Sequence, residues 1–442
     1  MLTLIATAVI LVSLLLVVWT SHGGLATATV AVIASLTVFP IEVFSWGEAS
    51  ATHTTTAGAT WSLASYQIAL ILAVLIVPGW MVLKGIAPPL LFLPALLFVV
   101  VVAQSNTPPH VLMGVAQWGF VALAWGFGWA LSRGVGRGQI SETFLAVVVT
   151  GAVAAHAVGA VMQIVGLSGV STIEIGALTI PRVSGFAGHS GNLGKILILL
   201  VVMLLPLTRS SNRAARNWSL AGTATAFVLV TLTFSRANTL AIIGALGIWF
   251  VFGPGAGLIR RIVMPAIMVV VALPVIILLV LRNSSDPSGG SRPQLLESAL
   301  IQIGKTFWFG VGPNGYLSTV SEISALAAGG LPVHSALLLA FTELGFVGSI
   351  FVAVPLVVVI VGAVMTIRKG GRRGLVALAF VSALPGLAVI AATGWGLMYM
   401  HILLLLMMVV GYTSAATTPW ADEEGVTGLK PIGKLSRKSV LA

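Results

Sequence analysis

Apolar residues fall in blocks along the whole chain: 2–20, 24–44, 66–83, 88–104, 110–131, 143–166, 192–208, 217–234, 238–254, 262–281, 333–366, 374–392 and 395–412. Most run for roughly 16 to 25 residues, enough for a helix to cross about 30 Å of hydrocarbon. The pattern predicts an all-α polytopic membrane protein with about 12–13 transmembrane helices. The stretches 66–104 and 374–412 also fit hairpins or partly re-entrant segments. The first block lacks a basic leader and a small-residue cleavage site, and is read as a span.

One large segment does not follow the pattern. Residues 282–332 open on "RNSSDPSGGSRPQ", rich in Ser, Gly and Pro, and continue with apolar residues at helical spacing and aromatic residues suited to an interface. A loop of that length with short interfacial helices is usually functional. The expected organisation is 1–281 as transmembrane helices 1–10 with their motif loops, 282–332 as a long extracytoplasmic loop, 333–412 as C-terminal transmembrane helices, and 413–442 as a cytoplasmic basic tail.

Composition agrees with the pattern. Hydrophobic residues make up 58% of the 442 positions and charged residues only 7%, with a mean hydropathy of +1.09, outside the range of soluble domains. The net charge of +11 raises the question of nucleic acid, but its distribution answers it. Lys84, Arg133, Arg137, Arg209, Arg213, Arg216, Arg260, Arg261, Arg368, Lys369, Arg372 and Arg373 occupy alternate short connections, and Lys430, Lys434, Arg437 and Lys438 the tail. By the positive-inside rule they mark the cytoplasm, so no nucleic-acid partner is implied. That orientation places 45–65, 105–109, 167–191, 235–237 and 282–332 outside. Arg182, Lys195, Arg236, Arg282, Arg292 and Lys305 break the bias and need another reason. With no cysteine, disulfides and thiol chemistry are excluded.

Four of these exceptions fall in three motifs, and a fourth motif carries a histidine. In "PRVSGFAGHSGNLGK", 181–195, Arg182 sits among small residues, with Asn192 and Lys195 at the start of a helix; this suits an anion, especially phosphate, and equally an arginine bound to lipid headgroups. In "TLTFSRANTLAIIG", Arg236 lies between two spans with almost no loop, where it must snorkel, pair or face water. In "GGSRPQLLESAL" and "FWFGVGPNGYLS", Arg292 can reach a second phosphate or pair with Glu297, and the turn carrying Asn314 and Tyr316 exposes amides, or simply turns. In "LPVHSALLLAFTELGFVG", His334 stands at the start of a span, suited to proton transfer near neutral pH or to an interfacial role. Glu343, nine residues on, lies about 13 Å deeper and on the opposite face of a straight helix. It therefore needs its own partner, and a structural role suits it. No metal-ligand spacing, Walker loop or dinucleotide fingerprint occurs, and no metal or other cofactor is expected.

The succession "RVSGFAGHSGNLG", "SRAN", "SR…ES…GVGPNGY" and "HSALLLAFTELGFVG" resembles the bacterial O-antigen ligase and O-antigen polymerase superfamily over roughly residues 140–412. Ser335 follows the histidine where that family often has asparagine. The resemblance implies a metal-independent, inverting glycosyltransferase that moves a glycan from a polyprenyl-diphosphate carrier to an acceptor hydroxyl. The reaction would take place at the outer face of a bacterial cytoplasmic membrane. Arg236 and Arg292 would contact the diphosphate, Arg182 support them and His334 act on the acceptor. Lys195, Asn192, Asn314 and Tyr316 are further substrate-binding candidates, Glu343 and Glu297 supporting ones. Partners would be the lipid-linked donor, a glycan, lipid or protein acceptor, and membrane lipids. Two alternatives stand beside this: a repeat-unit polysaccharide polymerase, and a lipid-linked glycan flippase or transporter. The flippase reading expects ionisable residues near the midplane rather than at one end of the helices.

Overall fold

The computed structural model describes residues 18–46, 61–77, 109–175, 178–254, 257, 261–264, 266–270, 273, 277 and 291–417. The expected spans at 2–20 and 88–104, and the basic tail, lie mostly or wholly outside these. The helices are α1 (Gly24–Thr37), α2 (Ser65–Ile76), α3 (Pro109–Gly136), α4 (Glu142–Ile164), α5 (Ser190–Leu204), α6 (Arg213–Leu232), α7 (Arg236–Phe252), α8 (Arg292–Lys305), α9 (Tyr316–Val320), α10 (Ala325–Ala328), α11 (Ala336–Ile367), α12 (Gly371–Thr393) and α13 (Met400–Thr417). Five of the described segments are long and apolar enough to cross a membrane: α4, α5 with its 3-10 extension to Arg209, α11, α12 and α13. The protein is an all-α polytopic membrane protein.

Two small antiparallel hairpins, which the apolar pattern does not signal, supplement the helices. β1 (Glu42–Trp46) pairs with β2 (Trp61–Ala64), and β3 (Ser171–Ile175) pairs with β4 (Leu178–Arg182), Ser171 opposite Arg182. Arg182 therefore ends a strand rather than floating in a loop.

Burial sorts the helices into inner and outer ones. Every residue of α5 and all of α13 but Leu406 are buried, as expected of helices apolar all round. The outer helix α11 shows Val354, Val357, Val358 and Val361 to its surroundings. Without a hydrophobic force between helices in lipid, close approach depends on small residues. Gly128 of α3 lies on the Met408 carbonyl of α13, and Gly411 of α13 lies on the Trp125 carbonyl of α3, where a Cβ on either would collide with backbone. α3 and α13 accordingly make the most extensive helix contact of the described fold.

Most of the described basic residues gather at one end. Arg133 lies in the last turn of α3 and Arg137 just after it, Arg209 ends the α5 extension, Arg213 and Arg216 begin α6, Arg368 and Lys369 lie between α11 and α12, and Arg372 and Arg373 are in the first turn of α12. There Arg372 bridges helices: its Nε lies 3.6 Å from Glu142 Oε1, and its Nη2 donates to the Tyr412 hydroxyl at 3.1 Å. Ser210 Oγ donates to the same Glu142 carboxylate. The opposite ends of α5, α6, α7, α11 and α12 converge on a different kind of site.

Candidate functional site

The Arg182 turn is fixed from below by α4. The Gln163 side-chain oxygen accepts from the backbone N–H groups of Ser184 (2.8 Å) and Gly185 (3.1 Å), and its Nε2 donates to Ser184 Oγ at 2.7 Å. His156, with no solvent exposure, accepts the Phe186 N–H on Nδ1 at 3.3 Å. Gly185 has φ of +52° and lies against His156, so a side chain is excluded there on two counts. Arg182 Nε in turn donates to the Thr233 carbonyl at 3.1 Å, which joins this turn to the residues just before Arg236.

The start of α5 forms the floor. His189 accepts the Gly191 N–H at 3.0 Å as N-cap. Burial foremost, then Arg182 and Lys195, lowers its proton affinity. The Gly191 carbonyl accepts from Lys195 Nζ (2.9 Å) and Asn238 Nδ2 (3.0 Å). Lys195 is only 8% exposed, and a buried ammonium without a carboxylate beside it is a strong attractant for an anion. Arg236 opens α7 at its first helical position.

The other half comes from the segment between α8 and α12. Arg292 is the first residue of α8, exposed. α8 leads through the turn 306–315 to the α11 region, where α11 is broken: Gly345 has φ 64° and ψ −174°. A break inside a span leaves backbone groups without helical partners, and the turn supplies them. Val311 N–H donates to Thr342 O (3.0 Å), Gly312 N–H to Glu343 O (2.9 Å), and the N–H groups of Phe346 and Val347 donate to Phe307 O and Trp308 O. Gly310 and Gly345 meet there with no room for a Cβ on either. The Glu343 side chain, 3% exposed, accepts from the backbone N–H groups of Asn314 and Tyr316.

His334 is half-buried just ahead of α11. Ser335 caps that helix by accepting the Leu338 N–H at 3.3 Å, a role asparagine fills equally well. The start of α11 is tied to the end of α12: Ala336 N–H donates to Gly394 O at 3.1 Å and Ser335 Oγ to Ala391 O at 3.4 Å. Burial and then the Arg292 guanidinium lower the proton affinity of His334, opposed by the Pro332 carbonyl. The imidazole is therefore neutral at neutral pH.

These pieces enclose a cavity of about 710 Å³ lined by Arg182, Asn192, Lys195, Arg236, Arg292 and His334 among others, with no Asp or Glu in its lining. Six sequence candidates are thus brought together; four are not. Asn314 and Glu343 line a separate, smaller cavity with Gln117 and Trp118, Tyr316 is buried in α9, and Glu297 is exposed on α8. No ion pair joins Arg292 to Glu297 among the described residues. The turn carrying Asn314 and Tyr316 faces the helix break, not the cations, because its amides are occupied there. The straight-helix separation of His334 from Glu343 also changes its basis: His334 precedes the helix altogether. Gln163, His156, Asn238, Trp395 and Tyr399 were not singled out by sequence. Asn238 lay in the quoted "SRAN"; a buried Gln in an apolar run was the available signal for Gln163. Trp395 and Tyr399 were hidden within an expected span.

Among the described residues, no cluster of three or more His, Cys, Asp and Glu side chains could hold a metal ion. Residues 221–353 match the O-antigen ligase family, a stretch that includes Arg236, Arg292 and His334. No curated protein matches the chain.

Proposed function

We propose, taking the O-antigen ligase domain at residues 221–353 as the premise, that the cavity transfers a glycan from a polyprenyl-diphosphate carrier to an acceptor hydroxyl. The reaction lies on the outer face of the cytoplasmic membrane. The observation that carries this reading is the lining itself: three arginines and a buried lysine around one space with a neutral histidine and no carboxylate.

A diphosphate leaves readily when fixed positive charge stabilises what develops as its bond to the sugar breaks. Arg236 and Arg292 hold the phosphates, with Arg182 and Lys195 behind them. The acceptor oxygen attacks the anomeric carbon from the side opposite the diphosphate; the new C–O bond forms as the old one breaks, and the configuration inverts. The electron pair leaves with polyprenyl diphosphate, and the acceptor proton passes to the His334 imidazole. Such a base contributes roughly 10²–10⁴-fold when held in line. Arginine charge does not depend on pH in this range, so no metal is required to neutralise the phosphates. The apolar residues Leu240, Val389 and Ile390 on the same lining give the isoprenoid tail a route into lipid.

The clustering of these groups at one end of the helices favours chemistry at one face over passage across the membrane. The test is transfer by the purified protein in lipid nanodiscs, with a lipid-linked oligosaccharide donor and candidate acceptors. His334→Ala and Arg292→Ala are each expected to reduce product formation by at least about 10²-fold while the protein stays folded and inserted. Full activity in both variants rules the mechanism out. Product identity separates a ligase from a repeat-unit polymerase, whose acceptor is a second carrier-linked glycan.

A further inference from the structure

Two aromatic side chains line the same cavity and have no part in the chemistry above. Trp395 and Tyr399 stand between α12 and α13 with ring centroids 4.5 Å apart and planes 31° from parallel. Both are half-buried, and both line the cavity. Trp308, by contrast, is 59% exposed away from the site, as an interfacial anchor is. Tyr399 is backed by His401, ring centroids 6.0 Å apart, and His401 by Tyr66 at 6.2 Å. Trp395 is packed against the cluster formed by Tyr316, Leu317 and Leu339. The pair therefore forms a packed aromatic wall of the cavity.

Its position follows from its two ends. At one, the Gly394 carbonyl accepts the Ala336 N–H, two residues from His334. At the other, Gly396 lies beside Lys195 and Asn192, whose Nζ and Oδ1 occupy the space a Cβ there would need. The wall spans the gap between the base and the buried cation. In the proposed reaction the reacting anomeric carbon must occupy that gap. The cavity offers no carboxylate to bind sugar hydroxyls, so recognition of the ring has to come chiefly from elsewhere. An aromatic face carries negative π density that attracts the polarised C–H bonds on the flat face of a pyranose and leaves its equatorial hydroxyls free.

We propose that Trp395 and Tyr399 form a sugar subsite that stacks the pyranose ring bearing the reacting anomeric carbon and sets its orientation toward His334. The inference rests on the glycan-transfer reading and deepens it.

Two probes separate the two ideas: farnesyl diphosphate, which has the phosphates and isoprenoid but no sugar, and the same lipid carrying N-acetylglucosamine on its diphosphate. Binding of each to the full chain in phosphatidylethanolamine–phosphatidylglycerol nanodiscs is measured by calorimetry. Trp395→Ala and Tyr399→Ala are expected to weaken the sugar-bearing probe at least about tenfold and to leave farnesyl diphosphate unchanged. Trp395→Phe, which retains an aromatic face, restores most of the loss and guards against misfolding. Equal weakening of both probes assigns the wall to the isoprenoid and overturns the inference; so does no change in either. If farnesyl diphosphate fails to bind the unaltered protein, the transfer reading itself falls and takes this subsite with it.

Discussion

His334 is held below the ordinary histidine value of 6.5, first by burial and then by the Arg292 charge. A lowered proton affinity means that the base form persists as pH falls through 6.5 and is lost only below it. The acid limb of kcat/KM is therefore expected below pH 6.5. Removing the guanidinium with Arg292→Gln should lower the rate and also move that limb upward. A limb at or above 6.5 in the unaltered protein, or one that stays put in the variant, contradicts the assignment. Gln163 acts at one remove, as a positioning residue. Gln163→Ala leaves the Ser184 and Gly185 amides without the acceptor they have now, at a cost of about 1–3 kcal/mol. Donor KM is expected to rise with little change in kcat, and Gln163→Glu, which keeps the acceptor oxygen, to recover most of it. A fall in kcat alone, with KM unmoved, would argue against a role through the Arg182 turn.

At the scale of elements, the interrupted helix α11 carries the outer segment. Its missing hydrogen bonds are made by residues 307–312, so the turn and the span hold each other in shape. Gly345→Ala puts a side chain at positive φ against the Gly310 backbone, and a loss of about 1–3 kcal/mol is expected from the backbone alone. Thermal unfolding in detergent should show the drop, and transfer should fall with it because α8 and its Arg292 hang on the same turn. A variant with unchanged melting temperature would mean that the break is not under constraint. The sequence pattern located the ends of α4, α6, α7 and α12 to within a few residues, since apolar blocks bounded by Arg, Asn or Gly give both length and caps. It read 333–366 as one uninterrupted span, because Glu343 and Gly345 in "ELGFVG" fit a span with one polar partner as well as a break, and a break held by a distant turn is not specified locally. The β3–β4 hairpin was missed for a similar reason: its five-residue strands are too short to rise above the neighbouring blocks.

For the whole molecule, most of the described basic residues gather at one end of the helices and the cavity with its own four cations lies at the other, which the alternation of charged connections already implied. Four of the six cavity-lining candidates, Arg182, Lys195, Arg236 and Arg292, were legible because cations outside that alternation need a reason. What tied them together, namely Gln163, His156 and the Gly191 carbonyl, was not, because it consists of side chain to backbone contacts between segments far apart in sequence. Since the chain has no cysteine, a single introduced thiol reports its own side. Lys305→Cys is expected to react with an impermeant maleimide in intact cells, and Arg213→Cys only after the membrane is opened. The reverse pattern would invert the proposed orientation.

The lining of permanent positive charge without a single acid has a further kinetic consequence. In the proposed reaction, polyprenyl diphosphate after transfer would carry more negative charge than the glycosylated carrier did, and the same arginines would hold it at least as firmly. Turnover is then expected to wait on the departure of the spent carrier rather than on bond breaking. A rapid first round followed by a slower steady state, with added polyprenyl diphosphate acting as a competitor of the donor, is the signature to look for. Hydrolysis of the spent carrier by a phosphatase in the same membrane would be the natural means of clearing the site.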